Sequence, residues 1–404
     1  MKYKQPSLFD DQRSTHTDAI QTSIASLKAY ASQYSHWSIA YSGGKDSSAT
    51  VSFVLWSIEN GYVPTPDTLT VLYADTRQEL PVLSNTASKL LEDVRQSGYI
   101  GKSVLPDMDD RFYVYMFGRG VPPPSNTFRW CTERIKIKPM LTALEQMHAE
   151  HGQKFIQLTG VRRGESAARD ARIAISCNSS SGECGQGWFQ AMSSESISDT
   201  LAPLLHWRTC FVWDWLYHWS TDAWAKACGY DRGHRFDYLA DIAAAYGDDD
   251  ARTGCIGCAL ASRDVALENS VAVNPALKPL LEIKPLLREL KQAHHRIRKA
   301  HPERTKTGAY AKNGQRMGPL TMDARVYGLS RVLDIQHRAG VDLINADEEA
   351  RIRELWKLNT FPQGWEGGLD NPNHVPADQQ IESVHVIGDN ELVIQHDLFM
   401  GTTP

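Results

Sequence analysis

The 404 residues are 42% hydrophobic and 23% charged, a balance that builds buried cores and excludes a disordered, collagen-like or coiled-coil chain. The formal net charge of −5 excludes a general polyanion binder, although a local basic face is compatible with it. No stretch reaches the roughly 18 to 20 apolar residues of a membrane span, and the opening MKYKQPSLFDDQRS lacks the apolar core of a leader, so a cytoplasmic protein without a membrane partner is expected.

Residues 1–20 read as a polar arm, and 21–35 carry helical spacing. Trp37 to Tyr41 reads as a strand, followed by a glycine turn and a helix from near Asp46 with Val51, Val54, Leu55 and Ile58 at helical intervals. A second strand, Leu69 to Ala74, leads through Asp75 and Thr76 to a helix from about Leu80 to Arg95. Beyond Pro122-Pro123-Pro124 a helix is predicted from Glu133 to Glu150, then a strand from Phe155 to Thr159 that ends at Gly160. The stretch 176–200, rich in Ser, Gly and Asn, is expected to be an inserted loop. Helical patterns return from Trp207 to Trp224, Tyr238 to Tyr246, Leu280 to Ala300, 321–339 and 347–357, and His385 to Leu398 alternates like a hairpin. This alternation predicts an α/β fold, a doubly wound parallel sheet with a mainly helical C-terminal region.

Ser42-Gly43-Gly44-Lys45-Asp46-Ser47-Ser48 stands where the first strand gives way to a helix. Glycines let the main chain turn with its amides inward, and the helix adds its positive end, so the turn suits phosphate oxygens. Lys45 would neutralise charge there, and the serines can donate hydroxyl bonds. The loop is not a Walker A motif, since Ile39 stands where its first glycine belongs and Asp46 follows the lysine, nor is any Gly-x-Gly-x-x-Gly present.

These residues resemble the PP-loop of the adenine nucleotide alpha-hydrolase superfamily, whose members split ATP between the alpha and beta phosphates or bind adenylyl sulfate. Tyr73-Ala74-Asp75-Thr76 with Glu79-Leu80-Pro81, Arg129 to Lys136, and Thr159 to Ser166 are similar to further blocks of the phosphoadenosine phosphosulfate reductase family. The resemblance implies the PP-loop type of sheet, bound ATP, and a site drawn from Ser42, Gly43, Gly44, Lys45, Asp46, Ser47, Ser48, Asp75, Thr76 and Gly160.

Arg162 and Arg163 follow a predicted strand, which places them at the carboxyl edge of the sheet beside the glycine loop. Guanidinium forks suit phosphate or sulfate oxygens, and Arg169, further along, could reach the same anion. A salt-bridged surface is the competing reading for the arginines. Asp46 and Asp75 are candidates for Mg2+, directly or through water, while Asp46 could instead cap its helix. Lys45, Asp46, Arg162 and Arg163 are taken as the catalytic set.

Seven cysteines are too sparse and irregular for a disulfide scaffold. Cys255-Ile-Gly-Cys258, flanked by Gly254, could aim two thiolates at one metal, with Cys131 as third ligand. A redox pair and structural zinc are the rivals. Trp130-Cys131-Thr132, Gly254 to Cys258, Gly318 to Arg325 and Ile352 to Trp356 are similar to blocks of the DNA phosphorothioation branch, the DndC/SspD type. That resemblance implies an iron–sulfur cluster, 4Fe-4S, on Cys131, Cys255 and Cys258, and leaves a fourth ligand open. Glu183-Cys184-Gly185 resembles a reductase motif but lies mid-chain.

A basic segment, with Lys284, Arg288, Lys291, Arg296, Arg298, Lys299, Arg304, Lys306, Lys312 and Arg316, reads either as a solvated face or as a phosphate-backbone surface. With the resemblance, DNA is favoured. The length allows two domains, divided as a polar arm 1–20, a PP-loop nucleotide domain with the cysteine cluster at 21–270, and a basic, mainly helical region at 271–404. The resemblance implies an ATP pyrophosphatase and sulfurtransferase of DNA phosphorothioation, working with a cysteine desulfurase and other DNA-modification subunits. A sulfonucleotide reductase, a tRNA thiolation enzyme and a non-catalytic nucleotide-sensing, DNA-binding subunit are the alternatives.

Overall fold

The computed structural model describes residues 15–165, 170–171, 173–175, 188–192, 195–247, 254–298, 307, 309, 317–362 and 365, with the backbone of strands at 182–183, 384–387 and 391–394. The chain divides into two units. The first comprises 1–74, 82–104 and 140–251, and the second comprises 75–81, 105–139 and 252–404.

Runs of branched and aromatic residues with almost no exposed position produce the central strands of the first unit, as a sheet covered on both faces requires. Its strands are β1 (His36–Tyr41), β2 (Thr68–Ala74), β3 (Ile100–Val104), β4 (Phe155–Leu158), β5 (Gly182–Glu183), β6 (Trp188–Gln190) and β7 (Ser198–Ala202). They lie in the order β3-β2-β1-β4-β7-β6-β5. The first five in that order are parallel, and β6 and β5 close the edge as antiparallel strands. The α/β fold with a mostly parallel sheet is therefore as expected. Four of its strands, β3, β5, β6 and β7, were not. β3 is an exposed edge strand carrying Lys102 and Ser103, and β7 is hidden in the Ser-rich stretch read as a loop, where pairing to β4 overrides local propensity.

The helix α1 (His16–Ala29) precedes β1, α2 (Lys45–Glu59) follows it, and α3 (Pro81–Gln96) follows β2. Side chains alternate across a strand, so Leu72 and Tyr73 face opposite sides. Leu72 packs with Val104, Phe155 and the helix Lys138–His151 through Ala143, Leu144 and Met147. The Tyr73 ring lies by Gly43 and Ala87, of α3, on the other side.

α2 is buried nearly all round, the mark of a central helix rather than a surface one. Small residues on its first half admit neighbours closely, and their hydroxyls bond back into the helix, Thr50 to Asp46 O and Ser52 to Ser48 O, both at 2.8 Å. Its second half meets an aromatic core in which Phe53, Trp56, Trp207, Trp215 and Trp219 contact one another, mostly edge-on or tilted, with Trp215 and Trp219 stacked. Three of its indole N–H groups are satisfied: Trp215 donates to Ser52 Oγ (2.9 Å), Trp207 to Ser23 Oγ (2.9 Å) and Trp56 to Arg232 O (2.8 Å).

His234 is locked into the same core as a neutral ring, with Nε2 bonded to Trp215 O at 2.8 Å and Nδ1 accepting the Phe236 N–H at 3.2 Å. Burial lowers its pKa from 6.5 to about 4. The unfolded chain therefore takes up this proton first, so the stability is complete above pH 6.5 and is lost as pH falls from 6.5 towards 4. The loss is about 3 kcal/mol, read as a falling urea midpoint. His234→Gln should flatten that dependence, and an unchanged pH dependence in the variant would count against it.

In the second unit, helix Met322–Ala339 is capped by Thr321, and helix Ala346–Lys357 by a reciprocal Asn345–Glu348 box. Arg325 is fully buried and donates to the carbonyls of Gly118 (3.2 Å), Thr360 (3.0 Å) and Leu320 (3.4 Å). Glu348 joins Arg77 and Arg111 at 3.3 and 3.1 Å. The long helix expected from Leu280 to Ala300 is corrected. A 3-10 segment Pro275–Glu282 and the short helix Ile283–Glu289 are followed by β8 (Arg296–Arg298), paired with β9 (Met317–Leu320). Pro285 stands in the first turn of the short helix, where its missing donor is tolerated, and the chain leaves the helix after Glu289 to pair β8 with β9. The expected hairpin is seen as β10 (Val384–Ile387) against β11 (Glu391–Ile394).

Candidate functional site

In the first unit, β1 lies between β2 and β4, so the order reverses direction at the β1–β4 boundary. Open parallel sheets take ligands at the carboxyl ends of strands at such a point. Both loops singled out in the sequence leave the sheet there.

After Tyr41 the chain turns through Gly43, whose φ of +75° is the left-handed region that favours glycine. Gly44 is the N-cap of α2, with extended backbone and no side-chain cap. Ser47 ties the loop together: its Oγ donates to Gly44 O (3.0 Å), accepts the Ser42 N–H (3.2 Å) and meets Ser42 Oγ (3.0 Å). Ser48 is buried, with its hydroxyl 3.4 Å from that of Tyr41. From the β4 side, Gly160 presses its backbone on this turn. A Cβ there would sit 2.9 Å from Ser47 N and 3.0 Å from Asp46 C and O.

Lys45 is only 5% exposed. Its Nζ lies 3.8 Å from Asp46 Oδ2 and 4.7 Å above the ring of Tyr246. Asp46 does not cap its helix. Its Oδ1 accepts from Arg162 Nε at 2.6 Å, and Arg162, itself buried, also donates to Trp207 O at 3.0 Å. Arg162 thus holds Asp46 in place and is held by the core in turn. Arg163 is exposed, and its N–H bonds to Leu205 O at 3.0 Å. Arg169 lies outside the described residues, as do Cys177 and Cys184.

Sequence reasoning did not find Tyr246, which ends a one-turn helix, Ala243–Tyr246, and whose hydroxyl accepts the Lys45 N–H at 2.8 Å. No local signal marks it, since the contact spans 201 positions of chain.

Asp75 and Thr76 belong to the second unit. Asp75 Oδ1 accepts the Arg77 N–H at 2.9 Å, and Thr76 gives both its N–H and its hydroxyl to Glu79. Burial raises the pKa of Glu79, against the pull of the Thr76 hydroxyl and of Lys136.

Cys131, Cys255 and Cys258 are also in this unit, and all three are free thiols. The Cys255–Cys258 turn closes with a Cys258 N–H to Cys255 O bond of 3.1 Å. It is pinned by Ile256 N–H to Gln78 O (2.7 Å) and Gly257 N–H to Asp264 Oδ2 (2.8 Å). Gly257 has φ +64°, and a Cβ there would strike Ile283 Cγ2 at 2.3 Å. Cys131 lies in the first turn of the helix predicted from Glu133, which begins at Trp130 and widens into a π-helical turn at Glu133–Ile137 carrying Lys136. Such turns recur at functional sites.

The three thiols share one electrostatic neighbourhood. Burial pushes the Cys255 thiol up to about 11, against the pull of Lys136. Burial and Cys258 raise Cys131, and Cys255 holds Lys136 more firmly protonated. The donor set is of the kind a thiolate-bound metal takes. Among the described residues, however, no group of three or more Cys, His, Asp or Glu is arranged to hold a metal ion. Cys210 and Cys228 lie in the first unit.

Of the basic segment, the described side chains turn largely to their own fold. Lys284 is 8% exposed, Arg296 bonds Gly318 O and Arg288 bonds Ser262 O. No helix among the described residues is long and apolar enough to cross a membrane.

Residues 36–223 match the family model of the phosphoadenosine phosphosulfate reductase domain. Among curated proteins, the uncharacterized protein MJ0066 of Methanocaldococcus jannaschii is 24% identical over 178 residues, 44% of this chain and 30% of its own length. The chain therefore spans under a third of the curated relative it matches. Among solved structures, FMN adenylyltransferase of Candida glabrata, in complex with FMN and an ATP analog, aligns over 51% of this chain and 58% of its own, with TM-score 0.32 and 16% identity. Phosphoadenylyl-sulfate reductase of Candida auris, as a phosphate complex, aligns over 56% and 85%, with TM-score 0.28 and 11% identity.

Proposed function

With a phosphoadenosine phosphosulfate reductase domain matched over residues 36–223 as premise, we propose that the chain is an ATP pyrophosphatase and sulfurtransferase of DNA phosphorothioate modification. The observation that carries the nucleotide part is the buried Lys45 inside a glycine turn that the Gly160 backbone closes against the first turn of α2. That arrangement offers a helix N-terminus and one buried cation to a chain of phosphates. Cleavage of ATP to AMP and pyrophosphate would activate a backbone oxygen of DNA for replacement by sulfur.

The protein's share is positioning and charge neutralisation. Lys45 holds the phosphates, and Asp46, fixed by Arg162, keeps that lysine oriented. Both oxygens of Asp46 already face cations, so Mg2+ would travel on the nucleotide phosphates rather than in a carboxylate cage. Cys131, Cys255 and Cys258 would hold a 4Fe-4S cluster, with Lys136 offsetting its charge. When bound, such a cluster supplies a soft site for sulfur delivered by a partner cysteine desulfurase. The sequence blocks shared with the phosphorothioation branch support DNA as substrate and other DNA-modification subunits as partners.

The test is mass spectrometry for phosphorothioate dinucleotides in cells with and without this protein, joined to pyrophosphate release from ATP by the purified chain. Loss of the modified dinucleotides without the protein is expected. Their persistence would overturn the DNA assignment. Anaerobically purified protein should contain iron and acid-labile sulfide, and absence of both would remove the cluster. The domain match favours one second reading, reduction of phosphoadenylyl sulfate, which predicts turnover of that compound with thioredoxin and none of ATP.

A further inference from the structure

Tyr246 occupies an unusual position for a residue no motif contains. Its hydroxyl oxygen accepts the Lys45 N–H at 2.8 Å, and its ring lies under the Lys45 ammonium, 4.7 Å from Nζ to centroid. Those are two of the groups an anion at the start of α2 would take: a backbone amide at the helix N-terminus and the buried cation. Tyr246 is 4% exposed, with the Trp213 ring standing edge-on to it at 5.1 Å. The next residue, Gly247, has φ +65°, a conformation open to glycine at little cost and suited to a hinge.

We propose that Tyr246 is a latch that fills the phosphate position of the glycine turn and that nucleotide must displace it. The inference rests on the reading of that turn as a nucleotide site and adds how entry to it is controlled. A phosphate oxygen and the phenol cannot both accept the same N–H from the same side, so binding exchanges a neutral hydrogen bond and a ring contact for charge-assisted ones. The phenol thereby gives the Lys45 amide a hydrogen-bond acceptor when no anion is bound.

Isothermal titration of the full chain with ATP, and separately with inorganic pyrophosphate, tests this. Tyr246→Phe keeps the ring and removes only the competing oxygen. It should bind both probes about three- to tenfold more tightly than the native protein, the worth of one neutral hydrogen bond. Equal or weaker binding by the variant overturns the latch and leaves the nucleotide site standing, whereas no binding by either protein overturns both. A second measurement is independent of the variant. Saturating pyrophosphate should increase nitration of Tyr246 by tetranitromethane, followed by mass spectrometry, because the ring leaves its buried seat. Unchanged or reduced nitration means that the ring stays and overturns the latch.

Discussion

Lys45→Ala is expected to lower kcat/KM for pyrophosphate release from ATP by about 10²- to 10³-fold, the usual cost of removing one preorganised charge-stabilising group. The side chain is buried in the turn, 3.8 Å from the carboxylate of Asp46, so its charge acts in a poorly screened setting. Asp46 keeps its bond to Arg162 in the variant, and the fold should survive. Gly160→Ala should reach a similar loss without touching any charge. Its Cβ would meet Ser47 N at 2.9 Å and Asp46 C and O at 3.0 Å, all backbone atoms of the first turn of α2, which must shift to admit it. Displacing a positioning element by about 1 Å costs on the order of 10²-fold. Steady-state kinetics with circular dichroism as a check on folding would decide both. A Gly160→Ala protein with native turnover would mean that the close approach of the two loops is irrelevant to the chemistry.

The largest effect on stability is expected at Trp215. The residue is fully buried, contacts Phe53, Trp56, Trp207, Trp219 and His234, and donates its indole N–H to Ser52 Oγ. Trp215→Ala would remove that packing and one buried hydrogen bond, while Ser52 keeps its bond to Ser48 O, at a cost of about 3 to 5 kcal/mol. That is a large share of the roughly 5 to 15 kcal/mol that holds an ordinary domain together. The urea midpoint should fall accordingly, and Trp215→Phe should recover part of the loss by refilling the volume. A midpoint within experimental error of the native one would show that this cluster does not bear on the stability of the first unit.

The glycine turn was legible because its chemistry is local: strand, two glycines, lysine and helix follow one another within ten residues of chain, and the structure keeps them in that order. The alternation that announced β1, β2 and β4 was legible for the same reason. β7 was not, since Ser198 to Ala202 has no strand signature of its own and becomes a strand by pairing with β4. The Leu280 to Ala300 helix failed in the opposite way, because leucine spacing spoke for a helix while pairing with β9 draws Arg296 to Arg298 into a strand. Thr76 offered a plausible hydroxyl for a ligand in the linear text, and the fold commits it to Glu79 three residues away.

What the sequence determined by itself was therefore local: a glycine and lysine turn between a strand and a helix, and a pair of thiols in a glycine-flanked turn. Which groups surround that chemistry was decided only by the tertiary structure. Arg162 could be read as an anion fork, yet burial beside Asp46 and the Trp207 carbonyl turns it into the tie that orients the loop. Tyr246 had no reading at all until the chain brought it 201 positions back to the Lys45 amide. The physical reason is common to both. Residue spacing along a strand or helix fixes short-range geometry, whereas the partner a buried donor finds depends on which distant segment the close-packed core leaves next to it.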